Sequence, residues 1–203
     1  AAVRNLCTRA VLLEDGRLTE SGDPSVVIDH YLRRSMDAAA APAHTRTDRT
    51  GDGSVRLTGI AITNADAPGE PITSGSRLKV ALEYESETPV RNARLLVGLY
   101  DVSNTGIYLL DSDAATGLPD TMPPRGRVVC ETEAMNLTPG RCYANVAIQT
   151  AGGTADYLAH AAFFDVEADE RFGLSRLPTR NWVMCLLRQQ WSAGDILEMS
   201  DDA

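Results

Sequence analysis

The sequence predicts a mainly β protein: an immunoglobulin-like antiparallel β-sandwich preceded by a short α/β segment. Three observations carry that prediction. Between residues 53 and 168, short alternating apolar runs are separated by Gly, Pro, Asn and Asp clusters, a spacing that gives about seven strands. Ahead of them, residues 1–35 mix hairpin and helix signals in a stretch too short to close a core alone. The 203-residue chain is 43% hydrophobic and 23% charged, so it can bury a sizeable core and is not of disordered composition.

In chain order, 4–9 closes a helix and 10–13 is a short apolar strand, followed by the Asp-Gly turn of Glu14-Asp15-Gly16-Arg17 and a return strand from Leu18. Asp23 caps a helix whose first position is Pro24, where the missing amide hydrogen costs nothing. Val27/Tyr31 and Ile28/Leu32 fall four apart on one face. Residues 36–52, MDAAAAPAHTRTDRTGD, hold almost no branched apolar residue and read as an interdomain linker. The expected strands are 55–62, 77–85, 94–101, 107–110, 127–133, 142–150 and 161–167. Leu78, Val80, Leu82 and Tyr84 are inward, as are Cys142, Ala144, Val146 and Ile148, which leaves Tyr143, Asn145, Ala147 and Gln149 outward. The phase of 94–100 is open, because Leu95/Val97/Leu99 and Leu96/Gly98/Tyr100 both make an acceptable inner face. Residues 169–203 form a tail whose apolar run over 182–190 fits a strand or a helix; it either closes the sandwich or docks on another copy of the chain.

Composition excludes several functions. The net charge of −9 and a single lysine, Lys79, among 19 cationic residues leave no basic stripe for a nucleic-acid backbone. The charge divides as 0 for 1–35, −1 for 36–52, −6 for 53–168 and −2 for 169–203, so the sandwich region carries most of the acidity. No apolar run approaches the roughly 20 residues of a spanning helix. Cys7, Cys130, Cys142 and Cys185 include no CxxC pair, which points to reduced thiols rather than a zinc site or disulfide framework. The start, Ala1-Ala2-Val3-Arg4, has neither Met nor a signal sequence and reads as the middle of a longer protein.

The stretch CTRAVLLEDGRLTESGDPSVVIDHYL, 7–32, resembles the end of an ABC-transporter ATPase domain, the part after its switch histidine. The segments GDGSVRLTGIAITN, SGSRLKVALEY and LTPGRCYANVAI resemble the C-terminal domain of polysaccharide-exporting ABC ATPases of the Wzt type. Together the two likenesses cover about residues 3–168. They imply a remnant of the ATPase domain over 1–35 joined to a carbohydrate-binding sandwich over 53–168. The parent subunit would export O-antigen or a related glycan with a separate membrane permease, at the cytoplasmic side of the bacterial inner membrane, and the sandwich of this family commonly dimerises. A Walker A loop needs Gly-Lys-Ser/Thr so that its ammonium reaches the β/γ-phosphates. The lone Lys79 follows Leu78, so ATP and Mg belong to the parent protein and this stretch is expected to take no cofactor and catalyse nothing.

Other chemistry is weighed against simpler readings. Asp111-Ser112-Asp113 has a metal-dependent glycosyltransferase spacing but no nucleotide-binding framework around it, so it reads as a polar loop. His30, His44 and His160 are too scattered to hold a metal. Asn136-Leu137-Thr138 matches a glycosylation sequon that a cytoplasmic bacterial setting leaves meaningless. Cys130 and Cys142 read as two small inward core residues rather than a redox pair. Glu83/Glu85 and Glu131/Glu133 lie about 7 Å apart on their strands, within reach of inverting glycosidase geometry, yet nothing buries them and solvated strand faces explain them better.

Sugar binding asks for aromatic faces and hydroxyl partners. Tyr143, in phase with Asn145 and Gln149, is the first candidate group, with small Ala147 leaving room for a pyranose ring. Tyr100, Tyr108 and Asp101, around the turn 101–108, form the second, and Phe163 with Asp165 the third. The competing function is a dimerisation or regulatory sandwich whose outward aromatics serve a subunit contact, with 182–190 as a swapped strand.

Overall fold

The computed structural model describes residues 3, 6–14, 16–114, 118–169 and 183–186. A hairpin of β1 (Ala10–Glu14) and β2 (Arg17–Gly22) turns at Gly16, whose φ of 75° suits a glycine. Helix α1 (Pro24–Ala40) follows, with the Asp23 carboxylate accepting the Ser25 amide at 2.8 Å as the cap. The helix expected over 4–9 falls partly outside the described residues. Where a linker from residue 36 is expected, α1 instead runs on to Ala40, since the Met-Asp-Ala-Ala-Ala stretch has strong helix propensity.

The sandwich begins earlier than the sequence boundary at 53. A 3-10 turn at Ala43–Thr45 leads to β3 (Arg49–Thr50), which pairs with the last long strand. Next come β4 (Val55–Asn64), β5 (Ile72–Thr73), β6 (Arg77–Ser86), β7 (Val90–Arg91), β8 (Arg94–Asp101) and β9 (Gly106–Asp111). Then follow β10 (Thr121–Met122), β11 (Arg125–Ala134), β12 (Gly140–Thr150) and β13 (Gly153–Glu167). One sheet runs β11-β6-β4 and the other β3-β13-β12-β8-β9, with β5 added to β13 in parallel. The last strand is longer than the expected 161–167, because β13 begins pairing with β12 at Gly153, opposite Thr150, right after the turn.

The two sheets face each other across one core. Leu78, Val80, Leu82 and Tyr84 of β6 oppose Cys142, Ala144, Val146 and Ile148 of β12, all at most 4% exposed. The open phase of β8 is resolved with Leu95, Val97 and Leu99 inward and Gly98 and Tyr100 on the outer face. Cys130 differs from its expected place in the core: it lies on β11, the edge of the smaller sheet, and is exposed. Cys142 is buried in the other sheet, so the two thiols are not side by side. Within the apolar run expected over 182–190, residues 183–186 lie along 136–138 of the same chain. Cys185 bridges Leu137, and the Leu186 amide donates to the Asn136 carbonyl at 2.6 Å. Residues 182 and 187–190, and with them the expected swapped or dimer-contact strand, lie outside the described residues.

The residues read as a linker are pinned into the sandwich by two arginines. Arg49 donates to the Asp156 carboxylate at 2.8 Å and to the carbonyls of Ala43 and Leu57, while the same carboxylate accepts the Leu57 amide at 2.8 Å. Both charges are nearly excluded from water, the Arg49 and Asp156 side chains being 9% and 3% exposed. Gly51 lets β3 come close: a Cβ there would stand 2.4 Å from the Ala155 carbonyl oxygen, and its φ is 128°. Removing one partner of such a pair strands a buried charge, so Asp156→Ala is expected to lower unfolding free energy by about 3–5 kcal/mol. Urea unfolding followed by circular dichroism checks this; a loss within the scatter of surface substitutions would contradict it.

Candidate functional site

The outer face of the larger sheet carries an aromatic cluster built by strand register. Tyr143 on β12 sits directly across from Tyr100 on β8 and Phe163 on β13. Its ring stacks on Tyr100 at 5.3 Å and 12° and lies 5.7 Å from Phe163. Tyr100 folds back over Gly98, where a Cβ would stand 2.8 Å from the ring; only a glycine leaves that space without displacing the stack. Tyr143, Tyr100 and Phe163, one ring from each of the three candidate groups, are therefore one cluster.

Asp101 shapes this cluster without touching it. Buried at 5% exposure, its carboxylate accepts the amides of Ser103 at 2.9 Å and Thr105 at 2.8 Å, fixing the β8–β9 turn. Asn104, at the turn's tip with φ of 63°, accepts the Tyr143 hydroxyl at 2.5 Å. Tyr143 points outward as its phase predicts, but it is covered rather than displayed, at 2% exposure. Its burial pushes the phenol well above its ordinary value.

The cover includes His160, which the sequence reading sets aside as a scattered histidine. Between the pairs Ala144–Ala162 and Val146–Leu158, β12 supplies one residue and β13 three, so β13 bulges. His160 occupies the bulge with φ of 47°, and its ring swings onto Tyr143 at 4.4 Å and onto Phe163 at 5.8 Å and 5°. The backbone groups freed by the bulge are taken up elsewhere. The Asn145 side-chain oxygen accepts the His160 amide at 2.8 Å, and Arg46 donates to the carbonyls of His160 and Ala159, each at 2.9 Å. Asn145, expected as a sugar contact, instead holds the bulge. Arg46, from the expected linker, is 7% exposed and also grips Asp48 through two nitrogens, which holds that carboxyl below its usual range.

The remaining candidates lie elsewhere. Gln149 is six residues along β12, about 20 Å from Tyr143. Tyr108 pairs with inward-facing Leu99, on the opposite face from Tyr100, and its hydroxyl lies 3.8 Å from the Cys185 sulfur. Asp165 is held by Arg141 at 2.8 and 2.7 Å at the margin of the aromatic face, which lowers its pKa. Asp111 is tied to Arg94 and Glu131 to Arg77 and Lys79. Among the described residues no group of His, Cys, Asp and Glu could hold a metal ion, and no helix is long and apolar enough to cross a membrane.

Helix α1 closes the outer face. Tyr31 meets His160 edge-on at 5.8 Å and 76°. Between helix and sheet lies a cavity of about 550 Å3, lined by Ile28, Tyr31 and Leu32 on one side and by Tyr143, His160 and the 102–105 turn on the other. It lies in the size range of small-ligand pockets. Aromatic and aliphatic side chains and the amide and hydroxyls of Asn104, Ser103 and Thr105 give it the means to hold an uncharged polyhydroxylated ring, and among the described residues no charged side chain lines it.

His160 is kept below its ordinary value of 6.5, first by burial and then by the Arg46 charge, with Asp48 opposing. The unfolded chain therefore takes up a proton before the folded one as pH falls. Stability is expected to be flat above pH 6.5 and to drop progressively below it, while His160→Asn, which tolerates the positive φ and does not titrate, flattens the profile between about pH 6.5 and 5. Urea midpoints across that window check the prediction; identical slopes for both proteins would contradict it.

The comparisons agree with this architecture. The family described as "Wzt C-terminal domain" matches residues 46–177, beginning at the arginine that holds the bulge. The solved structure titled "Crystal structure of the C-terminal domain of wzt" superposes with a TM-score of 0.59 at 11% identity, over 78% of this chain and 96% of that one. No curated protein matches the chain. The family assignment accounts for most of the described sandwich, and the chain belongs to the Wzt C-terminal domain family.

Proposed function

We propose that this chain is the non-catalytic polysaccharide-recognition part of an ABC-transporter ATPase subunit that exports O-antigen or a related glycan. It works at the cytoplasmic face of the inner membrane beside a permease, selecting the glycan that the transporter moves. The observation that carries the reading is the cavity over Tyr143 and His160. A pyranose presents apolar C–H faces and a rim of hydroxyls, and the cavity pairs aromatic and aliphatic walls with an amide and two hydroxyls. Its uncharged lining fits a neutral glycan better than an anionic one. One carboxylate of each pair that a glycosidase would need is engaged on an exposed strand face, Glu131 by Arg77 and Lys79 and Glu85 by Arg125. In this reading ATP and Mg belong to the parent subunit, since the residues of this chain include no Gly-Lys-Ser/Thr loop. Two sandwiches per transporter would raise a modest single-site affinity.

The alternative, an assembly module without a glycan site, draws on the edge strands β9 and β11, which leave Leu109 63% and Val129 45% exposed. Calorimetric titration of the chain with lipid-free neutral and acidic bacterial O-polysaccharides separates the two. Saturable binding of a neutral polysaccharide is expected, weakened about tenfold by Asn104→Gly, which keeps the turn conformation but removes the amide. A stable dimer that binds none of them would favour the assembly module.

A further inference from the structure

The cavity has walls from two parts of the chain. Tyr143, His160 and the 102–105 turn belong to the sandwich, whereas Ile28, Tyr31 and Leu32 belong to the helix that follows the N-terminal hairpin. That helix is tied to both. Toward the hairpin, His30 contacts Glu20 at 2.6 Å and Arg34 pairs with Glu14 at 2.6 Å. Toward the sandwich, Tyr31 packs on His160, and Met36 offers its sulfur to Arg141, itself clamped by Asp165.

On the sandwich side the wall is a chain of contacts rather than one surface. Tyr31 leans on His160, His160 on Tyr143, and Tyr143 donates to Asn104 at the tip of the turn. Moving the helix therefore changes the support of the same ring that orients the turn.

We propose that the cavity is a clamp: a sugar ring seated beside the Tyr31–His160 contact, touching Ile28 and Leu32 of the helix and the 102–105 turn of the sandwich, holds helix α1 onto the sandwich, so that the helix reports occupancy of the sandwich to the hairpin on its other side. This rests on the glycan-recognition reading for its ligand, but the mechanical link from helix to turn is present without one. A ligand touching both walls favours the docked arrangement by its differential affinity for it, and docking in turn raises its affinity by the same factor.

The test uses the full chain with Tyr31→Ala and, as the conservative control, Tyr31→Phe. Without ligand, amide NMR of Tyr31→Ala is expected to show shift changes at 102–105 and His160 as well as in the helix, with Tyr31→Phe close to wild type. Changes confined to the helix would overturn the clamp whether or not any glycan binds. With a neutral O-polysaccharide that binds the wild-type chain, Tyr31→Ala is expected to bind about tenfold more weakly, and the polysaccharide is expected to slow hydrogen exchange in 28–36. Unchanged affinity and unchanged helix exchange would overturn the clamp while leaving recognition by the sandwich intact. Failure of every polysaccharide to bind, alongside the turn shifts, would support the mechanical link and overturn the recognition reading instead.

Discussion

The outer face of this sandwich depends on the irregular β12–β13 pairing, where Arg46 and Asn145 hold the bulge at His160. A bulge frees an amide and two carbonyls that a regular ladder would pair, and each would be costly to bury alone. Asn145 accepts the amide and Arg46 takes both carbonyls, so the backbone keeps a left-handed residue in mid-strand. In that conformation the His160 ring lies over Tyr143. Burial of Tyr143, the orientation of the Asn104 turn and the seat for Tyr31 all follow from it. The guanidinium is the suitable group because one planar fork serves two carbonyls and a carboxylate together.

The same constraint explains why the segment before the sandwich is not a spacer. Arg46 reaches the bulge and Arg49 reaches Asp156 from adjacent turns of chain, and Gly51 removes the side chain that would keep β3 away from β13. Helix α1 is thus delivered onto the sheet by a short, anchored connection instead of a flexible one. An acidic chain with an uncharged cavity can also repel anionic polymers at long range while leaving short-range contacts to aromatic and amide groups.

Much of the sandwich was legible because alternation with period two reports the buried face directly. The inner sets of β6 and β12 are read correctly from Leu78 to Tyr84 and from Cys142 to Ile148. Asp23-Pro24 and Asp-Gly likewise announce the helix start and the hairpin, since capping and turn chemistry are local. Period alone does not say what covers an outward residue. Tyr143 was legible as outward but not as buried, because its cover comes from His160, Phe163 and Asn104, all of them more than 15 residues away. Arg46 and Arg49 were missed in a stretch poor in branched apolar residues, since their partners lie over 100 residues away. The signal available was their presence, as the only cations in that stretch, beside a glycine. Cys130 was misplaced because inward phase implies burial only where the facing sheet extends over the strand, and β11 is an edge.

The central claim is that the recognition surface is the cavity between α1 and the bulged sheet. A crystal structure of the chain with a short fragment of a neutral O-polysaccharide tests it most directly. The account predicts a sugar ring against Tyr31 and His160 with its hydroxyls toward the 103–105 turn. A saccharide seated instead on the outer face of β4, β6 and β11, with the cavity unchanged, would contradict it.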